Sequence, residues 1–257
     1  MWDPNSYLRH ADHRLRPFHD LIARIPTPAP LRVLDLGCGP GNATAELADR
    51  WPDAHVTGLD NSDAMVASAR KLARPGLDFS TADLTTDDWL PNDGADVMVT
   101  NAVLHWVPGH LARLPRWTDA LTPGGSFAVQ VPANFADPAH VLLTELTASA
   151  RWKDRIGAEP RPFEAHSADR YLDALARPGF RVDAWETTYL HVLHGPDPVL
   201  SWMEGTALRP VLAALADADR GEFLAEYGAL LADAYPERDL GTVLPFRRVF
   251  AVAVNTG

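Results

Sequence analysis

The sequence predicts an α/β fold in which helices cover a doubly wound, mostly parallel sheet of seven strands. From residue 31 onward, short apolar runs alternate with stretches that have helical periodicity. The runs are apolar through most of their length, which is typical of parallel strands buried on both faces. With 257 residues, of which 46% are hydrophobic, the chain can build one large domain carrying a sizeable insertion.

Each element follows from its local pattern. The predicted strands are 31–36, 55–60, 77–83, 95–101, 121–131, 181–192 and 247–254. The predicted helices of the first half are 42–51, 61–73 and 110–121. Ser62 is a suitable N-cap for the second of these helices, and Pro115 can bend the third.

Two long connections interrupt the second half of the chain. Residues 132–180 and 193–243 are rich in Ala, Leu and charged residues and are punctuated by Pro. They are far longer than ordinary loops, so we interpret them as helical insertions over the carboxyl edge of the sheet, where such sheets bind ligands. The expected plan is an N-terminal helical lid (1–30), an α/β core (31–131), an insertion (132–180) and a C-terminal sheet part (181–257) with a cap (193–243).

Composition excludes several classes of partner. The chain has 23 Lys plus Arg against 34 Asp plus Glu, a net charge of −11 that opposes nucleic acid and anionic membranes. Its single cysteine, Cys38, excludes an internal disulfide and a thiolate zinc site, and favours the cytoplasm. The opening residues MWDPNSYLRHADHRLRP resemble neither a signal peptide nor a membrane span. The oligomeric state stays open.

A glycine loop follows the first strand. The stretch DLGCGPGN places an acid, Asp35, before three glycines at alternate positions, Gly37, Gly39 and Gly41. Such glycines allow positive φ angles and a close backbone approach to a ligand, and the following helix offers free N–H groups. A tight turn that binds nothing is the alternative.

The spacing of this loop differs from a dinucleotide fingerprint. The pattern G-x-G-x-x-G would need glycine where Asn42 or, in the second frame, Thr44 stands. Pro40 also removes one N–H group that would face a pyrophosphate. Asp35 points instead to a ligand carrying an ammonium or sulfonium group, which a carboxylate attracts.

The loop resembles the first motif of the class I methyltransferases that use S-adenosyl-L-methionine, and later landmarks agree. In that family an acid like Asp60 pairs with the ribose hydroxyls, one like Asp83 meets the adenine, and Asn101 lies at the methionine part. Pro123-Gly124-Gly125 resembles the turn before the fifth strand. The resemblance implies these cofactor-binding residues: Asp35, Gly37, Cys38, Gly39, Asp60, Asn61, Asp83, Leu84 and Asn101. Cys38 is expected to fill the turn as a small apolar group rather than to act as a nucleophile.

A narrower resemblance covers nearly the whole chain. WDPNSY, NAVLHW, VQVPANF, WETTYLH, GTALRP and LPFRRVF are similar to segments of the trans-aconitate methyltransferases, which make a monomethyl ester of an unsaturated tricarboxylate. Two departures are His105, where that family often has Gln, and Ala133, where it often has Asp. Both changes can retune an acceptor pocket.

This resemblance implies a set of acceptor-binding residues. Arginine suits carboxylates because its planar guanidinium binds them bidentately, which favours Arg16 and Arg209 ahead of Arg9, Arg247 and Arg248. The aromatic start of the chain is expected to close over the acceptor. The substrate-binding candidates are Trp2, Tyr7, Arg16, His105, Trp106, Tyr189, His191 and Arg209. Trp185 and Trp202 are expected to anchor the core.

The chemistry of such an acceptor needs no general base and no metal. A carboxylic acid with a pKa near 4 is already ionised at neutral pH, so His105 is needed only to orient it. The alternatives are a hydroxyl acceptor with His105 as base, an NAD-dependent oxidoreductase, and a non-catalytic protein that senses the cofactor.

Overall fold

The computed structural model describes residues 11–157 and 164–257. The described residues form two compact units. The first comprises 11–132, 164–187 and 248–257, and the second comprises 133–157 and 188–247. The two long strands near the end of the chain contribute residues to both units.

The sheet has the strand order β3-β2-β1-β4-β5-β8-β6, with the short β7 paired to β8. Strands β1 to β5 pair in parallel wherever they are neighbours, and β8 pairs antiparallel with β5. The strands are β1 (Arg32–Leu36), β2 (His55–Asp60), β3 (Leu77–Thr81), β4 (Ala95–Asn101), β5 (Leu121–Pro132), β6 (Phe180–Leu193), β7 (Glu237–Arg238) and β8 (Gly241–Asn255). The predicted doubly wound, mostly parallel fold is confirmed, with β7 as an additional two-residue strand.

The helices follow the predicted alternation with the strands. They are α1 (Ala11–Ile22), α2 (Asn42–Arg50), α3 (Asp63–Ala69), α4 (His110–Asp119), α5 (Pro138–Ala148), α6 (Lys153–Ile156), α7 (Ala168–Leu175), α8 (Pro198–Glu204), α9 (Leu208–Ala214) and α10 (Asp217–Ala234). The Ser62 hydroxyl accepts the Met65 N–H at 3.4 Å, so the predicted N-cap is confirmed. Helix α4 continues through Pro115.

The core of the first unit explains why its strands are apolar throughout. Val33, Val97 and Phe127 have no exposed surface, because helices cover the central strands on both faces. Helix α1 packs against β5 and buries Phe18 fully. Trp185 of β6 stacks on Phe250 of β8 with ring centroids 4.9 Å apart, which agrees with its expected role as an anchor.

The second unit has a separate core made by the helices of the two long connections. Trp202 is buried there, as expected, together with Trp152, Phe223 and Tyr227. The Tyr227 hydroxyl donates to the carbonyl of Ala139 at 2.7 Å, which ties α10 to the start of α5. Among the described helices, none has both the length and the apolar composition needed to cross a bilayer.

Candidate functional site

The glycine loop turns sharply between β1 and α2. Gly37, Gly39 and Gly41 have φ angles of +82°, +54° and +86°, a region where a side chain is strained. The N–H groups of Gly37 and Cys38 both donate to the carbonyl of Leu59, at 2.7 and 2.9 Å. The loop is therefore fixed to the end of the neighbouring strand β2.

The three glycines are required for different reasons. A Cβ on Gly37 would lie 2.3 Å from the Val103 side chain, and one on Gly41 would lie 2.9 Å from the Phe79 ring. Both clash with packed protein atoms. A Cβ on Gly39 would meet no atom of the described residues within 4 Å. Gly37 and Gly41 thus serve the packing of the fold, while Gly39 leaves its backbone open to a ligand.

Asp60 is held in a fixed direction at the end of β2. Its Oδ2 accepts the Gly39 N–H and its Oδ1 accepts the Ser62 N–H, each at 2.9 Å. Each carboxylate oxygen has a second lone pair, and the side chain is only half-buried. The carboxylate can therefore accept two further hydrogen bonds from a diol, as the prediction for this residue requires.

Asp35 is a buried acid at the start of the loop. Its side chain accepts a hydrogen bond of 2.6 Å from the Thr44 hydroxyl of α2. Burial raises the pKa of this carboxyl from 3.8 to about 6; the Thr44 bond opposes the rise and the nearby Asp60 charge adds to it. An ionised carboxylate at this place is stabilised by a cationic ligand.

Cys38 lies between the first two glycines and is buried. Burial, followed by the charges of Asp35 and Asp60, raises the pKa of its thiol, which stays neutral at physiological pH. Both features fit the expected role of a small apolar filler.

The end of β4 carries an unsatisfied polar atom and a strained residue. The Oδ1 atom of Asn101 is buried and has no hydrogen-bond partner among the described residues. Ala102, the next residue, has a φ of +59° and donates its N–H to the carbonyl of Gln130 at 2.8 Å. Orphan polar atoms and left-handed non-glycine residues cluster at ligand sites. Asn101 thus meets the physical requirement for a cofactor contact.

A short 3₁₀ turn (Leu104–Trp106) follows and carries two acceptor candidates. His105 is buried, whereas Trp106 is 48% exposed, and their ring centroids lie 5.1 Å apart. The carbonyl of His105 accepts the Glu164 N–H at 3.1 Å. The turn is therefore anchored to the segment before α7.

Glu164 connects this turn to a histidine cluster. Its Oε2 accepts the Gly109 N–H at 2.6 Å, and its Oε1 lies 2.9 Å from Nε2 of His166. His110 Nε2 lies 2.7 Å from the Tyr171 hydroxyl. The ligand atoms of His110, Glu164 and His166 are within 4.8 Å of one another. Each residue has a protein partner, so the cluster is satisfied as a hydrogen-bond network that positions the turn.

The remaining cofactor candidates follow β2 and β3. Asp83 is exposed, and its Oδ1 accepts the Thr85 N–H at 2.8 Å, which lowers the pKa of this carboxyl. Leu84 beside it is buried, and Asn61 after β2 is exposed. Because β3 neighbours β2, these residues belong to the same edge of the sheet as Asp60.

The other acceptor candidates fall in different parts of the molecule. Arg16 is exposed on α1 of the first unit. In the second unit Arg209 is half-buried on α9, and the buried rings of Tyr189 and His191 lie parallel with centroids 6.4 Å apart. His191 also stacks on Trp202 at 5.0 Å. Trp2 and Tyr7 lie outside the described residues.

Four residues near the site were missed from the sequence: Gln130, Ala102, Val103 and Glu164. Gln130 alone had a visible signal, because it is a polar residue inside the apolar run FAVQV. The others act through backbone conformation or through contacts that no local pattern encodes.

Comparisons with known proteins agree with this geometry. Residues 33–125 match the family model described as a methyltransferase domain. The trans-aconitate 2-methyltransferase of Streptomyces avermitilis is 56% identical over 260 residues, covering 98% of this chain and 96% of the relative. That of Streptomyces coelicolor is 52% identical over 263 residues, covering 98% and 86%.

A solved S-adenosylmethionine dependent methyltransferase from Mesorhizobium loti shares the fold with a TM-score of 0.53 and 22% identity, covering 92% of this chain and 96% of that one. The relatives favour methyl transfer over the nicotinamide-dependent alternative, and S-adenosylmethionine is the cofactor. The chain belongs to the trans-aconitate 2-methyltransferase family.

Proposed function

We propose that this protein transfers a methyl group from S-adenosylmethionine to a carboxylate of trans-aconitate, giving a monomethyl ester. The observation that carries this proposal is the 56% identity, over nearly the full length of both chains, to a relative named for that reaction. The glycine loop and the end of β4 fit the cofactor, since Gly39 leaves space beside its backbone and Asn101 presents an unsatisfied oxygen.

Three predicted residues would hold the cofactor. Asp60 would accept the two ribose hydroxyls, because its carboxylate is oriented by two backbone N–H groups. Asp83 would meet the adenine, with Leu84 and Asn61 beside it. Asn101 would contact the methionine part through its side-chain amide, whose Oδ1 atom is buried and unsatisfied among the described residues. The negative charge of Asp35 would favour a cationic ligand over a neutral one.

The acceptor would need positioning rather than activation. When bound, S-adenosylmethionine supplies an electrophilic methyl group on a positively charged sulfur. A carboxylate oxygen is already a negative nucleophile at neutral pH, so no protein group has to remove a proton. His105 would orient the acid, with Trp106 beside it. Holding the reactants in line supplies much of the acceleration, roughly 7–11 kcal/mol in favourable systems.

The remaining expectations become part of the proposal. They are acceptor binding by Arg16, Arg209, Tyr189 and His191. The net charge of −11 argues against nucleic acid or an anionic membrane as a partner. One cysteine in 257 residues supports a cytoplasmic location.

The test is methyl transfer from labelled S-adenosylmethionine to trans-aconitate, cis-aconitate, citrate and isocitrate, with the ester position read by mass spectrometry. We expect trans-aconitate to be the best acceptor. Binding of S-adenosylhomocysteine without turnover of any of these acids would refute the proposal.

A pH profile tests the chemistry independently. At saturating S-adenosylmethionine, which removes the effect of Asp35 on cofactor binding, the rate with a carboxylate acceptor should stay level down to about pH 5. A hydroxyl acceptor with His105 as base would lose rate near pH 6 to 7. A His105→Gln variant, which restores the residue common in the family, should keep the level profile.

A further inference from the structure

Arg248 is a buried cation in the first unit. It lies on β8 opposite Pro132 of β5, and only 4% of its surface is exposed. Arginine is seldom buried to this extent, because removing a guanidinium from water is costly unless strong acceptors surround it. A guanidinium has five N–H donors, so Arg248 can bind a further acceptor beside those that it already contacts.

One hydrogen-bond partner of Arg248 is a neutral amide. Its Nη1 donates to Oε1 of Gln130 at 3.2 Å. This bond orients the amide so that its NH₂ group points away from the guanidinium. The Nε2 atom of Gln130 is buried and has no hydrogen-bond partner among the residues that the structure describes. A buried NH₂ group without an acceptor is destabilising, so this group is suited to bind an acceptor from a ligand.

The strand register places this pair beside the end of β4. Gln130 on β5 is the partner of Asn101 on β4, and Phe250 on β8 is its partner on the other side. Paired residues of neighbouring strands share one face of the sheet, and Arg248 shares that face with Phe250 because they are two residues apart. Asn101, Gln130 and Arg248 therefore form a row of polar side chains across three adjacent strands.

We infer that Arg248 and Gln130 form the binding subsite for a carboxylate of the acceptor. This inference rests on the proposed function and names the residues that hold its substrate. A guanidinium donates two parallel hydrogen bonds to a carboxylate, and the unsatisfied NH₂ group of Gln130 supplies a third. Asn101 in the same row is the residue assigned to the methionine part. The carboxylate held here is a fixed point that directs another carboxylate of the same acid toward the methyl group.

The neighbouring Arg247 provides a matched control. It precedes Arg248 on the same strand, so its side chain projects from the opposite face. Its Nε donates to the carbonyl of Ala133 at 3.1 Å within the second unit. Arg247→Lys makes the same change of side chain one position away without touching Gln130.

The decisive variant is Gln130→Glu, which places a carboxylate beside Arg248 that competes with the acceptor. We expect the KM for trans-aconitate to rise at least about tenfold, since a charge-assisted bidentate contact is replaced. The dissociation constant for S-adenosylhomocysteine should stay unchanged. Arg248→Lys keeps the positive charge but loses the paired N–H donors of the guanidinium, so it should also raise this KM. Arg247→Lys should leave the KM at the wild-type value.

A binding measurement separates this inference from the proposed function. Titration of trans-aconitate into each protein saturated with S-adenosylhomocysteine should show weaker binding for Gln130→Glu than for the wild type. The loss should be smaller for an unsaturated dicarboxylate, which lacks one of the three carboxylates. Unchanged acceptor affinity in Gln130→Glu, or an equal loss of cofactor affinity, would overturn the assignment even if Arg248→Lys fails to fold. Tight acceptor binding without turnover by the wild type would instead refute the proposed function alone.

Discussion

Replacing Asp35 with asparagine is expected to make the cofactor-free protein more stable and to weaken its binding of S-adenosylmethionine. Burial raises the pKa of this carboxyl from 3.8 to about 6, so the folded protein holds an ionised group in an unfavourable place at neutral pH. Since one pKa unit corresponds to about 1.4 kcal/mol, the rise represents up to about 3 kcal/mol of lost stability. Asp35→Asn removes the charge and keeps an oxygen for the Thr44 hydroxyl.

The pH dependence gives the sign of this effect. Between pH 3.8 and 6 the folded state binds this proton more tightly than the unfolded chain does. Ionising Asp35 therefore lowers stability as the pH rises through that window, and the full loss is present only above pH 6. The advantage of Asp35→Asn over the wild type should be largest at about pH 7.5 and about half as large at pH 5.

Urea unfolding of the cofactor-free proteins measures the stability difference between Asp35→Asn and the wild type at pH 7.5 and at pH 5. Calorimetry should show at least about tenfold weaker binding of S-adenosylmethionine to Asp35→Asn, because a carboxylate no longer balances the cationic ligand. Thr44→Val is the matched control, because losing the hydroxyl that stabilises the ionised form should lower stability at pH 7.5. A less stable Asp35→Asn protein at pH 7.5, or a gain that does not shrink at pH 5, would refute the reasoning.

Three further predictions concern the loop, the ribose site and a buried histidine. Gly39→Ala should fold and show weaker cofactor binding in calorimetry. Gly37→Ala should have a lower unfolding temperature, because its Cβ meets Val103. Equal unfolding temperatures for the two variants would contradict this. Asp60→Ala should weaken S-adenosylhomocysteine binding at least about tenfold, and an unchanged dissociation constant would exclude the ribose assignment. Burial lowers the pKa of His140 from 6.5 to about 4, so the free energy of unfolding should fall as the pH drops from 6.5 toward 4. A His140→Gln variant whose free energy of unfolding depends on pH as steeply as that of the wild type would disprove this.

Much of the fold could be predicted from the sequence because most of its strands are continuous apolar runs. The predicted 55–60 and 95–101 coincide with β2 and β4, and the other strand predictions differ mainly at their ends. β7 was missed because it consists of two exposed polar residues, Glu237–Arg238. The last strand begins at Gly241 rather than 247, and its first two residues pair with β7.

Candidate site residues could be predicted from the sequence only where a local motif marks them. Asp35 and Asp60 lie near each other because both stand at the carboxyl ends of adjacent parallel strands, and their roles toward a ligand stay predictions. The bond between Arg248 and Gln130 joins residues 118 positions apart and depends on which strand lies beside β5. Strand order of that kind follows from the packing of the whole sheet, so Arg248 could not be preferred over Arg209 from the sequence.

The close approach of Gly37 and Val103 makes the two sides of the proposed cofactor site mechanically dependent on each other. The Val103 side chain occupies the space that a side chain at position 37 would fill, so the bend after β4 packs directly against the bend after β1. A larger residue at position 103 would push the glycine loop away from β4 without touching any ligand. Engineering that aims to widen acceptor range through the NAVLHW segment will therefore change cofactor affinity as well, and variants there should be screened for both.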